Sequence, residues 1–324
     1  MTVSRRSKPR VPKAGNGPRS RRRRDAGREP LDTSRGSVSM GRSPTFPFAQ
    51  WRAPDRYRTV YFDEGTGPAL IFVHGLGGNV THFEHLLPDL ARDHRIVGLD
   101  LVGFGASAKP DRRYDVDFLV EHLLTFLAER GVERTTLVGH SMGGTICLAA
   151  ALSRPEMVEA LVLIGAACLA PLPRWIRLGS RLVLHAQVLN PVLKRSYDRI
   201  LDNVFVDSPE ANPYVRNFRV ASLADEPGMP HLLPHLRDFA RVSASVCRDL
   251  VQRDYSSRLH ELKMPVLALW GDSDKLVTAP SVAEALTRIP RLRRAVIPRA
   301  GHLPMVERPA EVLDQIRAFL TNPP

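Results

Sequence analysis

The stretch Thr135-Thr136-Leu137-Val138-Gly139-His140-Ser141-Met142-Gly143-Gly144-Thr145-Ile146-Cys147 decides the fold of this chain. Thr135–Val138 has the make-up of a short strand and runs straight into a G-x-S-x-G pattern, Gly139 to Gly143. A helix expected over Gly144–Ser153 follows and stops before Pro155. By itself the pattern is weak, since any chain rich in Gly and Ser can match it. Between a strand and a helix it has a mechanical meaning. A serine on a tight strand-to-helix turn is held with its side chain exposed, and small flanking residues let backbone close around that strained corner. The helix N-terminus behind it favours negative charge. Ser141 is therefore the candidate nucleophile.

Working outward, strands and helices alternate. Strands are expected at Tyr57–Phe62, Ala69–Val73, Arg95–Leu99, Thr135–Val138, Ala160–Ile164, Pro265–Trp270 and Arg294–Ile297. Helices are expected at Val80–Ala91, Asp117–Arg130 (stopped by Gly131), Ala279–Arg288 and Pro309–Leu320. The continuous apolar runs are those of strands covered on both faces. The pattern predicts an α/β fold, a mostly parallel central sheet with helices on both faces. The alternation lapses between about Ala167 and Arg258, where several helices are interrupted by prolines 171, 173, 191, 209, 213, 227, 230 and 234. A helical block inserted between two strands of one sheet is a cap over the sheet's carboxyl edge, where open α/β folds bind ligands. The expected organisation is a disordered basic tail over 1–50, core over 51–166, cap over 167–258 and core again over 259–324.

The net charge of +12 suggests a polyanion binder until its location is considered. Residues 1–50 carry 13 Lys and Arg against 3 Asp and Glu, and the other 274 residues carry 33 against 31. The folded part is nearly neutral, and the basicity belongs to a tail rich in Arg, Ser, Pro and Gly. That tail could make weak contact with polyanions or a membrane surface, and no specific nucleic-acid site is expected. Met40 sits just before the first expected structure and is a candidate for the translation start. Cys147, Cys168 and Cys247 are odd in number and widely spaced, which fits reduced thiols in a cytoplasmic protein. No metal spacing, no cofactor motif and no apolar run near the length of a membrane span is present.

A serine hydroxyl needs a base. Of the eleven histidines, His302 alone lies on a loop after a late strand, in Ala300-Gly301-His302-Leu303-Pro304, and is the candidate base. His140 adjoins Ser141 on the same turn and should point elsewhere, in a structural role, and His260 precedes a strand at the wrong end of the sheet. An acid should orient the imidazole. Asp272 or Asp274, in Gly271-Asp272-Ser273-Asp274, could serve, although Asp272 could equally be a turn residue capping its own backbone. The developing oxyanion needs backbone donors. One should be the amide of Met142. The other should come from His74-Gly75-Leu76-Gly77-Gly78, with the Leu76 amide the choice.

These elements together resemble the α/β-hydrolase superfamily from Tyr57 to Leu320. The resemblance includes the His74–Gly78 loop, the turn Asp100-Leu101-Val102-Gly103-Phe104-Gly105-Ala106-Ser107, the Ser141 elbow, and Gly301-His302-Leu303-Pro304-Met305-Val306-Glu307. In that family the acid is usually the fourth residue of G-x-x-D, which implies Asp274. The resemblance implies a serine hydrolase that cleaves a carboxylic ester, of the esterase and lipase branch, with no metal or organic cofactor. Family members that use Asp on the elbow, the haloalkane dehalogenases and epoxide hydrolases, do not match. A C–C bond hydrolase or lactonase is the alternative within the fold, although C–C hydrolases commonly carry Asn where this chain has His140. A non-catalytic ligand-binding member is the alternative outside catalysis. In the cap, Trp175, Leu178, Leu182 and Leu189 fall on one side of a helix, with Arg174, Arg177 and Arg181 on another. This is either an ordinary amphipathic cap helix or a lid that approaches lipid. The density of Leu, Val and Trp from Leu172 to Leu193 predicts an apolar acyl pocket.

Overall fold

A computed structural model describes residues 49–52, 57–188, 191, 199–200, 202–216 and 236–324. All of these fall within one compact unit, Ser37–Pro324. The basic tail as far as residue 48 and the cap residues Leu189 and Leu193 lie outside the described residues.

Eight strands form one sheet: β1 Ala49–Arg52, β2 Arg58–Glu64, β3 Ala69–Val73, β4 Arg95–Leu99, β5 Thr135–His140, β6 Val158–Ile164, β7 Val266–Gly271 and β8 Leu292–Ile297. Their spatial order is β1-β2-β4-β3-β5-β6-β7-β8. β1 and β2 are antiparallel to their neighbours, and every pairing from β4 to β8 is parallel. The helices whose bounds fall among the described residues are α1 Leu87–Leu90, α2 Val116–Glu129, α3 Met142–Ser153, α4 Arg174–Val183, α5 Leu236–Leu250, α6 Ala279–Leu286, α7 Pro304–Glu307 and α8 Pro309–Thr321. Two apolar cores, one on each face of the sheet, confirm the layered α/β architecture. One holds Ile71, Val97, Leu123, Phe126, Ile146 and Leu161. The other holds Phe62, Phe72, Phe83, Leu267, Ile316 and Phe319.

Several elements differ from the sequence expectation. The strand β1 begins at Ala49, inside the stretch assigned to the tail, and pairs Ala49 with Tyr61 and Arg52 with Arg58. The single helix expected over Val80–Ala91 is a 3₁₀ turn, Val80–Phe83, followed by α1, with Pro88 in the first turn of α1. β5 continues through His140, because Gly139 and His140 pair with Leu163 and Ile164 of β6. α3 starts at Met142 rather than Gly144, so Ser141 is the single residue between strand and helix.

Between β6 and β7 the described elements are helical, as a cap requires. The face α4 turns outward is unexpected. Leu172, Trp175, Leu178 and Leu182 are exposed by 40, 75, 66 and 77%, so these residues do not wall an acyl pocket. No helix among the described residues is long and apolar enough to cross a membrane.

Candidate active site

The sheet order reverses between β3 and β5: from β3 the chain steps to β4 on one side, then to β5 on the other. Loops leaving the carboxyl ends of strands at such a point diverge and open a crevice. The loop after β3 carries Leu76, and the turn after β5 carries Ser141. β7 and β8 end at the same edge and deliver Asp274 and His302.

Ser141 occupies φ 52°, ψ −116°, a conformation that costs a non-glycine residue of order 1–3 kcal/mol and is held only by its surroundings. Those surroundings leave no space for larger neighbours. A Cβ on Gly143 would lie 2.1 Å from the Val73 carbonyl oxygen, and one on Gly139 would lie 2.5 Å from the Gly143 carbonyl oxygen. The elbow is closed by backbone against backbone, which explains the small residues on either side of the serine.

Ser141, His302 and Asp274 form one hydrogen-bonded chain. Ser141 Oγ lies 2.9 Å from His302 Nε2, and His302 Nδ1 lies 2.8 Å from Asp274 Oδ2. With an acid at Nδ1, that nitrogen carries the ring proton and Nε2 accepts from the hydroxyl. The other carboxylate oxygen, Asp274 Oδ1, accepts from the amides of Leu276 at 2.8 Å and Val277 at 3.0 Å. Both ends of the carboxylate are therefore engaged by donors. Asp272 lies outside this chain. Its carboxylate accepts from the Arg299 amide at 3.0 Å, the Ala300 amide at 3.4 Å and the Ser273 hydroxyl at 2.8 Å, which holds the turn before His302. Those contacts keep its carboxyl below the usual carboxylate range, with the Arg299 amide the main cause.

The two nominated amides flank Ser141. Met142 opens α3, so its N–H is one of the donors a helix leaves unpaired at its N-terminus. On the other side, a Cβ on Gly75 would lie 3.1 Å from Ser141 Cβ, which brings the backbone just before Leu76 against the serine. Among the described residues no hydrogen bond uses the Leu76 amide.

Three further histidines surround the site, and burial keeps all three neutral. His74 is lowered to about 4 and His82 to about 3, in each case chiefly by desolvation, and His140 is lowered well below its ordinary value for the same reason. His74 accepts the Leu101 amide on Nε2 at 3.0 Å and donates from Nδ1 to the Gly75 carbonyl at 2.8 Å, tying the loop after β3 to the loop after β4. His140, expected to be structural, donates from Nε2 to the carbonyl of His302 at 2.8 Å. It holds the backbone of the very residue that contacts Ser141.

Glu307 had no expected role. Its buried carboxylate accepts from the Gly301 amide at 2.6 Å, the Val206 amide at 2.7 Å and the Asp207 amide at 3.2 Å. Burial pushes its carboxyl above the usual range, and these three donors oppose that. Beside it, the His302 amide donates to the Val204 carbonyl at 2.8 Å, and Arg308 pairs with Asp207 at 2.7 Å. Residues 204–207 of the cap are thus fastened to the histidine loop. The sequence carried a partial signal, since Glu307 closes the Gly301–Glu307 motif, but its partners in the cap have no sequence proximity. The Asp100–Ser107 turn is structural: Asp100 accepts from the Val80 and Ala106 amides, and Ser107 Oγ donates to the Asp100 carbonyl. The cysteines are free, and burial raises Cys168 to about 11 and Cys247 to about 12, away from reactive thiolates. Among the described residues no group of three or more His, Cys, Asp or Glu side chains is arranged to hold a metal ion.

Comparison with known proteins agrees with this architecture. The family model for the alpha/beta hydrolase fold matches residues 68–184. The chain is 26% identical over 273 residues to 2-hydroxy-6-oxo-6-(2'-aminophenyl)hexa-2,4-dienoic acid hydrolase of Metapseudomonas resinovorans, covering 82% of this chain and 88% of that one. It is 28% identical over 259 residues to a pimeloyl-[acyl-carrier protein] methyl ester esterase of Aeromonas hydrophila, covering 79% and 96%. Among solved structures, a bacterial membrane phospholipase A superposes with a TM-score of 0.67 at 27% identity, over 85% of this chain and 86% of that one. With its sheet order, its strand–serine–helix elbow and these relatives, the chain belongs to the α/β-hydrolase superfamily.

Proposed function

We propose that this hydrolase cleaves a carboxylic ester by a two-step acyl transfer to water, with Ser141 as nucleophile, His302 as general base and Asp274 as the orienting acid. The observation that carries this is the unbroken hydrogen-bond chain from Ser141 Oγ through His302 to Asp274, with the serine held at positive φ. Ser141 Oγ attacks the ester carbonyl as its proton passes to His302 Nε2. The negative charge that forms on the carbonyl oxygen is met by the amides of Met142 and Leu76. Asp274 Oδ2 stabilises the imidazolium through Nδ1–H. The surrounding imidazoles of His74, His82 and His140 are neutral, so the new positive charge on His302 meets no cationic ring beside it. His302 then protonates the departing alcohol, and water cleaves the acyl-enzyme by the same steps reversed.

The relative that hydrolyses a dienoic acid favours a second reading, attack on a C–C bond beside a ketone by the same residues. A panel of p-nitrophenyl esters of graded acyl length, run beside a meta-cleavage dienoate, separates the two. Ester turnover that disappears in Ser141→Ala, with labelling of Ser141 alone by a fluorophosphonate, is expected. Dienoate turnover without ester turnover would replace the ester reading, and labelling of a different serine would overturn both. Three free cysteines fit a reducing compartment, and on that ground we place the enzyme in the cytoplasm.

A further inference from the structure

The cap helix α4, Arg174-Trp175-Ile176-Arg177-Leu178-Gly179-Ser180-Arg181-Leu182-Val183, sits the wrong way round for a helix that serves only to close a core. Its one buried residue is Ser180. The side turned to the protein is fastened by polar contacts: Gln252 Nε2 donates to the Arg177 carbonyl at 2.9 Å and to Ser180 Oγ at 3.4 Å. Trp175, Leu178 and Leu182 share the opposite side, spaced as i, i+3 and i+7, and are the most exposed large apolar residues among those described. Leu172 before the helix and Val183 at its end are exposed as well. Arg174 and Arg181, seven residues apart, line one edge of it. Among the described residues no carboxylate pairs with either, and the helix contains no acidic residue.

We infer that α4 docks on an anionic lipid surface, with Trp175, Leu178 and Leu182 entering the boundary between headgroups and acyl chains and Arg174 and Arg181 resting among the headgroup phosphates. An apolar face bordered by arginines, with a tryptophan at the boundary, matches that layered solvent in order. A second copy fits less well. Antiparallel self-pairing of α4 would set the two arginine edges side by side, a like-charge contact that an anionic surface relieves. The position is also suited to delivering substrate. The chain leaves β6 at Gly165, where a Cβ would lie 3.3 Å from Asp274 Oδ2 and 3.4 Å from His302 Nδ1, and reaches α4 at Arg174. A lipid-facing α4 therefore sits at the end of a short loop that starts at the active site.

This docking does not depend on which bond the enzyme cleaves, so it is tested in the full-length Ser141→Ala protein, which leaves the lipid intact. Vesicles of equimolar phosphatidylglycerol and phosphatidylcholine are added, and tryptophan emission is followed with and without bromine-labelled acyl chains. The expected result is a blue shift with bromine quenching that is lost in Trp175→Phe, leaving Trp51 and Trp270 unaffected. Leu178→Glu with Leu182→Glu should weaken vesicle binding about tenfold or more. In the Ser141 parent the same pair should leave turnover of a water-soluble ester within about twofold. Vesicle binding without quenching of Trp175 would assign the attachment to the basic tail alone and overturn the proposal. So would a Trp175 emission already blue in buffer, which would show that another part of the chain or a second copy covers α4.

Discussion

Replacing Asp274 by Asn tests the proposed chemistry with almost no change in volume, because the local donors fix how the amide must sit. Asp274 Oδ1 accepts two backbone N–H bonds, from Leu276 and Val277. An asparagine must keep its carbonyl oxygen there, since turning its NH₂ to that side would press donors against donors. The NH₂ then faces His302 Nδ1, which has to accept instead of donate. The ring proton moves to Nε2 and points at Ser141 Oγ, 2.9 Å away. In that tautomer the imidazole cannot take the serine proton. Loss of the correct tautomer in a serine triad lowers kcat by about 10⁴-fold, so a fall of ~10³ to 10⁴ is expected, equivalent to about 4–5.5 kcal/mol of barrier. Stability should change little, because the two amide bonds survive and one charge-assisted bond is exchanged for a neutral one, at about 1 kcal/mol. The comparison is Asp272→Asn, which touches only the Arg299–Ala300 turn and the Ser273 hydroxyl and should lower kcat by less than about tenfold. The assay is kcat and KM on a p-nitrophenyl ester beside a thermal melt for each variant. Asp274→Asn with a tenth or more of parental kcat, or Asp272→Asn as the crippling change, would refute the assignment of the acid.

Three other outcomes follow from the same geometry. Gly143→Ala places a Cβ 2.1 Å from the Val73 carbonyl and 2.5 Å from that of His74, rigid backbone on both counts. It should cost about 3 kcal/mol or more and abolish activity, whereas Gly131→Ala, with nothing within 4 Å at φ 65°, should cost only about 1 kcal/mol; equal melting temperatures for the two would contradict the close-packed elbow. Glu307→Ala leaves the buried Gly301 amide and the part-buried amides of Val206 and Asp207 without their acceptor and should cost about 1–3 kcal/mol, with kcat reduced and KM nearly unchanged because the His302 loop loses its tie to residues 204–207; a melt and kcat within error of the parent would remove Glu307 from any supporting role. Acid should destabilise the fold between pH 7 and 5.5, before carboxylates at their ordinary values titrate. His74 and His82 stay neutral in the fold down to about 4 and 3, while in the unfolded chain they take up protons near 6.5. Stability is therefore lost as pH falls below 6.5, by about 2.5 kcal/mol for the pair between pH 7 and 5.5. His140 adds in the same direction, and Asp100, raised to about 6, returns less than about 1 kcal/mol over that range. Urea unfolding at the two pH values measures the difference, and equal or greater stability at pH 5.5 would be the contrary result.

Which parts of this molecule could be read from sequence follows from where each element's free energy comes from. β3 and β4 are found to the residue because Ala69–Val73 and Arg95–Leu99 are runs whose apolar side chains are buried almost whatever their neighbours do. The strand β1 has no such run. Ala49–Arg52 is a strand because Tyr61 through Arg58 offers it a partner edge, and that information lies outside its own four residues. The same holds for the last residues of β5, which are strand because β6 extends beside them.

The candidate site divides along the same line. Ser141, His302 and the Gly271–Asp274 loop were legible because each lies directly after a strand, and a parallel sheet brings such loops to one edge. Their supports were not legible, since each is a bond between distant backbones. His140 reaches the carbonyl of His302, and Glu307 gathers amides from residues 206, 207 and 301. Amphipathicity of α4 was visible, but its orientation depends on Gln252, 75 residues further along the chain from Arg177. Reactive groups can be placed by topology alone, whereas the groups that hold them depend on pairs that only the folded chain creates. Substitutions at His140 and Glu307 should therefore reduce turnover without removing any atom that touches substrate, and the loss should appear in kcat rather than KM.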